Sequence, residues 1–234
     1  MPPRRRPDRL LAIVDAATEV FAQEGFGAAQ MTDIARMANL SVGTLYNYVE
    51  GKDALLLLSA ERPFMDICAG REFPIAAPDR VELISRLEET LAEHIRIPML
   101  ERALAGPSTG NQLIASVDGI VGELFDLIAS TRIGADALEK SARDAPDLAA
   151  LFYFHVRLPL LKQLTMYLEM VDAARRSPSS VAPEHAARFV LETVTWWARH
   201  RHRDPDPPIL EELEARQVAV ALVAGFLSGG SGEQ

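Results

Sequence analysis

The chain has 234 residues, 48% hydrophobic and 24% charged, enough to bury a sizeable core in one domain or two small ones and too apolar to favour disorder. Its formal net charge of −9 argues against a general polyanion binder, because a phosphate backbone would be repelled by the molecule as a whole. The charge is unevenly placed: residues 1–52 balance Arg4, Arg5, Arg6, Arg9, Arg36 and Lys52 against Asp8, Asp15, Glu19, Glu24, Asp33 and Glu50, so the whole deficit falls after residue 52.

The basic start "MPPRRRPDRLL" lacks the apolar run of a secretory leader. The longest apolar run, "VAVALVAGFL" at 218–227, is half a membrane span, so a cytoplasmic protein is expected. Cys68 stands alone, which rules out an intrachain disulfide and fits a reduced compartment.

In chain order, Leu10, Val14, Ala17 and Phe21 recur at helical spacing after Asp8, and Gly25 follows as a stop signal, predicting a first amphipathic helix. Ile34, Ala35 and Ala38 mark a short second helix over about 31–38. Asn39 sits where a tight turn wants a left-handed backbone, and Ser41 is placed to cap a third helix over about 42–48. A fourth helix is expected from Lys52–Asp53 through "ALLLL", ended or kinked by Pro63. After a break at 71–79, helical patterns resume at 79–104, about 112–130, about 135–143, and 146–174 with a bend at Pro159. "RRSPSSVAP" at 175–183 reads as a polar loop, and two last helices are expected at 184–202 and 208–228. Residues 1–7 and 229–234 are expected to be a disordered basic arm and tail. The pattern is all-α, with no run of two-residue alternation.

Enzyme signatures find little support. "GPSTG" at 106–110 satisfies G-x-S-x-G, but a nucleophile elbow needs a strand before its Ser, and the residues preceding Ser108 read as helix. His200 and His202, two apart on a helix, point to roughly opposite sides and suit a polar helix end better than a metal. No phosphate-cradling glycine motif is present, so no enzyme activity, cofactor or metal is expected.

The helix pair at 31–38 and 42–48 has the layout of a helix-turn-helix, whose second helix enters the major groove with its N-terminal residues at the base edges. Gly43 allows close backbone approach, and the Ser41 cap leaves first-turn N–H groups for phosphate. Thr44 offers a hydroxyl and a methyl, Tyr46 and Tyr48 carry hydroxyls on rigid arms, Leu45 faces inward, and Lys52 is placed to clamp a phosphate. Spacing alone leaves a second reading open: a helix pair that never meets DNA, with its Tyr residues half-buried in packing.

The stretch 10–58, with "IVDAATEVFAQEGF", "DIA" at 33–35 and "LSVGTLYNYVEGKDALL" at 40–56 in that order, resembles the N-terminal domain of the tetracycline-repressor (TetR) family of bacterial transcription regulators. The resemblance implies an N-terminal three-helix DNA-binding domain, residues 8–54, and a larger helical ligand-binding and dimerisation domain, residues 55–228. It implies that Val42, Gly43 and Tyr46 approach bases while Thr44, Asn47, Tyr48 and Lys52 meet the backbone. Gln30, Thr32 and Ser41 complete the candidate DNA-binding set. Three positions depart from the family pattern: Gln30 stands for a capping Thr, Asn39 for a Gly, and Val49 for a Phe under the recognition helix. "PPRRRP" at 2–7 reads equally as a DNA-tracking arm or a solubilising tail.

Residues 60–175 are expected to hold a sensor for an apolar or amphipathic molecule, with Phe64, Cys68, Met99, Phe125, Phe152, His155, Met166 and Tyr167 as candidate ligand contacts. The last two helices carry apolar residues on several sides and are expected to pair across a two-fold axis. Their candidate contacts are Phe189, Thr193, Trp196, Trp197, His200, Val218, Leu222 and Gly225. The expected function is a homodimeric repressor of palindromic operator DNA, released by a small molecule. The alternative is a small-molecule-binding helical protein whose helix-turn-helix no longer binds DNA or serves protein contacts.

Overall fold

A computed structural model describes residues 6–106, 109–174, 180–206 and 210–228. Among these the regular structure is helical, with no strand. Ser108, the arm up to residue 5, residues 175–179 of the polar loop and the tail after residue 228 lie outside them.

The helices are α1 (Arg6–Glu24), α2 (Met31–Met37), α3 (Val42–Tyr46), α4 (Lys52–Glu61), α5 (Arg80–His94), α6 (Pro98–Ala105), α7 (Gly110–Lys140), α8 (Pro146–Leu151), α9 (Leu158–Ala174), α10 (Pro183–Ala198) and α11 (Glu212–Ser228). Among the boundaries that differ from the sequence reading, the third helix ends at Tyr46, the helix expected at 184–202 ends at Ala198 and the last begins at Glu212, and three further differences are larger. The pattern at 79–104 breaks into α5 and α6 because Ile97 turns extended and Pro98 takes the first position of a new helix, where its missing N–H costs nothing. The patterns at 112–130 and 135–143 join into α7, which buries Leu113, Val117, Ile120, Val121, Leu124 and Phe125 in its first half and continues through Gly134, a residue that a helix interior tolerates at a modest cost. The bend expected at Pro159 begins earlier, as a π-helical stretch over Phe152–Arg157. The widened turn precedes a residue with no N–H to donate.

The chain divides into two compact units, residues 1–94 with 133–156, and residues 95–132 with 157–234. In the first, α1 packs on α2 and α4, and α5 packs on α4 and α8. Leu10, Ile13, Val14, Ala17 and Phe21 of α1 are buried, as is the whole run Leu55–Leu58 of α4, which therefore needs cover on several sides. Gly25 ends α1 with φ +85°, and its missing side chain leaves room for the Lys140 carbonyl, 3.1 Å from where a Cβ would lie. Nearby, the Phe26 N–H donates to the buried Ser141 hydroxyl at 2.8 Å. The buried Glu61 carboxylate at the end of α4 receives Arg71 and, at 3.2 Å, Arg86.

In the second unit α10 packs against α9 and α11, and α6 against α9. Buried Arg201 donates to the carbonyls of Trp197 at 2.7 Å and Leu210 at 3.2 Å and to the Glu212 carboxylate at 2.5 Å, which satisfies a costly interior charge. No described helix is long and apolar enough to cross a membrane.

Candidate functional site

The turn between α2 and α3 sets the site. Asn39 takes the left-handed backbone (φ +55°) that reverses the chain in three residues. Ser41 then opens α3: its hydroxyl accepts from the Thr44 N–H at 3.2 Å and pairs with the Thr44 hydroxyl at 2.8 Å. Leu45 is fully buried and fixes which face of α3 points inward. The opposite face carries Gly43, with nothing within 4 Å of a Cβ there, together with Tyr46, 46% exposed, and the exposed Asn47. Val42 and Thr44 are half-buried at its margin. Thr32 and Gln30 are exposed at the start of α2, and Gln30 precedes that helix without a side-chain cap.

Two residues assigned to phosphate by the sequence reading sit otherwise. Lys52 turns inward, its ammonium donating to the carbonyls of Phe26 at 2.8 Å, Gly27 at 3.1 Å and Ala29 at 3.4 Å, and lying 4.6 Å from the centre of the Phe26 ring. It ties the start of α4 to the α1–α2 turn, whose carbonyls no helix satisfies. Tyr48 is buried, with its ring edge-on to Phe73 at 5.4 Å. Val49 is fully buried and bridges to Ile75, so a second segment covers this position in place of a larger side chain.

The eight candidate ligand contacts divide four and four between the units. In the first, Phe64 stacks on His94 at 4.7 Å and the His155 imidazole lies 3.4 Å from the Glu88 carboxylate. Cys68 sits with its sulfur 3.6 Å from the Pro7 carbonyl, and desolvation, with Asp66 nearby, pushes its thiol up and away from the reactive thiolate. Phe152 begins the π-helical stretch.

In the second unit, Tyr167 is committed internally, donating to the Leu113 carbonyl at 2.5 Å and pairing with the Ser116 hydroxyl at 3.0 Å. Met166 is exposed, and Met99 lies against Gly119. Phe125 lines an open cleft of about 540 Å³ with Arg132, Glu212 and the Arg216–Asp126 pair.

Along α10 and α11, Phe189 and Leu222 are 40% and 47% exposed, Gly225 is exposed, and Thr193, Trp196, Trp197, His200 and Val218 are half-buried. The Phe189 and Phe226 rings meet at 4.1 Å and Trp196 and Trp197 at 4.9 Å. Among the described residues no group of three metal-ligating side chains gathers.

The sequence profile described as "Bacterial regulatory proteins, tetR family" matches residues 13–58, the segment that builds α1 through α4. Residues 13–58 thus carry a tetR-family N-terminal domain. A tetR-family solved structure, a TetR-like transcriptional regulator from Rhodococcus sp. RHA1, is 19% identical with a TM-score of 0.50, covers 96% of this chain and 98% of that one, and shows the same fold. The "Fatty acid metabolism regulator protein" of Bacillus subtilis (strain 168) is 37% identical over 54 residues, 23% of this chain and 27% of that protein. The "HTH-type transcriptional repressor KstR" of Rhodococcus jostii (strain RHA1) is 33% identical over 123 residues, 51% of this chain and 57% of that protein. The matched spans are thus about a quarter and somewhat over half of these relatives' lengths.

Sequence reasoning about this tetR-family domain missed Arg9, Phe73, Pro74 and Ile75, which stand around the exit of α3. The signal available was Phe73-Pro74 inside the supposed break, since a residue before proline is driven extended and so is ready to pair.

Proposed function

We propose that this chain is a ligand-responsive transcriptional repressor that binds palindromic operator DNA as a homodimer and is released by a small apolar or amphipathic molecule. In this reading residues 8–54 hold DNA and residues 55–228 sense the effector and pair the protomers. The observation that carries it is the outward face of α3: a capped, glycine-bearing helix anchored from behind by Leu45, presenting Tyr46 and Asn47 to solvent. Such a face suits a major groove, and the local balance of charge spares it the repulsion that the acidic remainder would cause. The named relatives support regulation at DNA, and the 54-residue match says nothing of the effector.

The coupling path runs through α4, which begins beside the α1–α2 turn at Lys52 and ends at the Glu61 ion pairs. An effector that shifts α4 changes the setting of α3, and DNA and effector then compete through a reciprocal coupling of about 1–3 kcal/mol. Near-complete switching requires about 5.5 kcal/mol of differential affinity.

The test is titration of purified protein against the DNA upstream of its own gene over a range of salt. Binding that weakens steeply as salt rises is the expected result. Protein that binds small molecules but no DNA at any salt replaces this reading with the helical ligand-binding alternative.

A further inference from the structure

The segment between α4 and α5 runs alongside the exit of α3. The Ile75 N–H donates to the Tyr48 carbonyl at 2.8 Å, and the Glu50 N–H donates to the Ile75 carbonyl at 3.0 Å, making a parallel bridge between Val49 and Ile75. The Ala77 N–H reaches the Glu50 carboxylate at 3.4 Å, and Arg71 holds the start of the segment to Glu61. Residues 71–77 therefore form a strap tied at one end to α4 and at the other to the residues that leave α3. Its Phe73 and Pro74 face an open cleft of about 620 Å³ whose other lining residues are Arg9, Thr44, Tyr46, Asn47 and Tyr48.

The lining is chemically one-sided. It holds a guanidinium, three hydroxyl-bearing side chains and an amide, with no carboxylate. One of its hydroxyls, that of Thr44, is already paired with Ser41. Arg9 is half-buried on the first turns of α1, and among the described residues no carboxylate forms an ion pair with it. Tyr46 and Asn47 belong at once to this cleft and to the exposed face of α3, so whatever α3 meets continues into the cleft.

We propose that this cleft takes a DNA backbone phosphate and its sugar, with Arg9 as the phosphate-binding cation and the Phe73–Pro74 strap as the wall against the sugar. The assignment rests on the DNA-binding reading above. A guanidinium matches phosphate geometry with two parallel donors, and the Asn47 amide and Tyr46 hydroxyl add neutral ones. The strap's rings offer the sugar an apolar surface, and its two main-chain hydrogen bonds hold that surface at a set distance from α3. A phosphate contact fixes orientation and carries no sequence information, so the cleft contributes affinity and register to every DNA that the helix meets.

The experiment measures binding of full-length protein to its operator and to a scrambled duplex across a salt series. Arg9→Ala is expected to reduce the slope of log K against log salt by about 0.9 and to weaken both duplexes alike. Arg9→Lys is expected to restore the slope, since it retains the charge. Phe73→Ala is expected to leave the slope unchanged and to weaken both duplexes by about two- to tenfold, the range of a lost aromatic contact. A wild-type slope in Arg9→Ala, or a loss confined to the operator, overturns the phosphate assignment, and wild-type affinity in Phe73→Ala overturns the wall. Wild-type protein without salt-dependent DNA binding removes the functional reading and the cleft together, whereas the variant results bear on the cleft alone.

Discussion

Lys52 shows how a residue in a binding motif also serves the fold. Three carbonyls of the α1–α2 turn receive its ammonium, and the Phe26 ring lies under it. Lys52→Met keeps the aliphatic length and removes every one of these donors. Hydrogen bonds from a charged group contribute about 1.5–3 kcal/mol, so the melting temperature is expected to fall by several degrees in a scanning melt. An unchanged melt would mean that the turn holds itself. Tyr167 offers a pH test. Burial raises its pKa above the ordinary value of 10.0, opposed by the Ser116 hydrogen bond. The folded state thus retains a proton that the unfolded chain loses, and the stability this gives is complete below about pH 10 and declines as pH rises through the folded value. In an absorbance titration of native protein Tyr167 should ionise above the ordinary tyrosine value, and Tyr167→Phe should remove that step while lowering stability at neutral pH by about 1 kcal/mol.

At the scale of the element, a few residues determine where helices begin and end. Gly25, Asn39 and Ser41 were readable because each position needs something that few side chains supply: a left-handed backbone at the first two and an N-cap oxygen at the third. Gly25→Ala places a Cβ at a positive φ and 3.1 Å from the Lys140 carbonyl, so it is expected to lower unfolding stability by at least about 1 kcal/mol in a urea titration. A neutral result would show that the turn relaxes away from α7. The helix boundaries that sequence misplaced have no such local marker. The join runs through Gly134, which read as a break but which a helix interior tolerates, and the π-helical stretch over Phe152–Arg157 lies just ahead of Pro159, which has no N–H to donate. The strap beside α3 looked like a loop because extended pairing over one bridge has no periodicity to detect.

For the whole molecule, the apolar residues that α10 and α11 leave in solvent bear on assembly. Phe189 and Leu222 are among the exposed large apolar side chains, and Phe189 already rests on Phe226. Exposed apolar surface on two neighbouring helices marks an interaction site, and a second copy of the chain is the proposed occupant. The paired change Phe189→Glu and Leu222→Arg is expected to convert a dimer into a monomer in sedimentation velocity. On DNA it should abolish the preference for a full palindrome, with half-sites about 34–36 Å apart, over a single half-site. Wild-type protein that sediments as a monomer at micromolar concentration would remove the dimer. The acidic residues after position 52 bear on the same scale: they disfavour contact with DNA over most of the remaining chain, so the proposed operator contacts are expected on the charge-balanced N-terminal segment and on the strap packed beside it.

The sequence by itself determined the all-α class, the short helices around Asn39 and Ser41, and the tetR-family resemblance, because these follow from local spacing, backbone permissiveness and a contiguous motif. Only the tertiary structure decided what Lys52, Tyr48, Tyr167 and residues 71–77 touch. Their partners, Phe26, Phe73, Leu113 and the exit of α3, are about 25 to 54 residues away along the chain, and pairings at that range are set by how helices pack. The same limit explains why the helix proposed to face DNA could be picked out from sequence while the residues of the proposed sensor could not. Recognition by one short helix is written in adjacent residues, whereas a pocket is assembled from side chains whose soft, apolar character is that of any core.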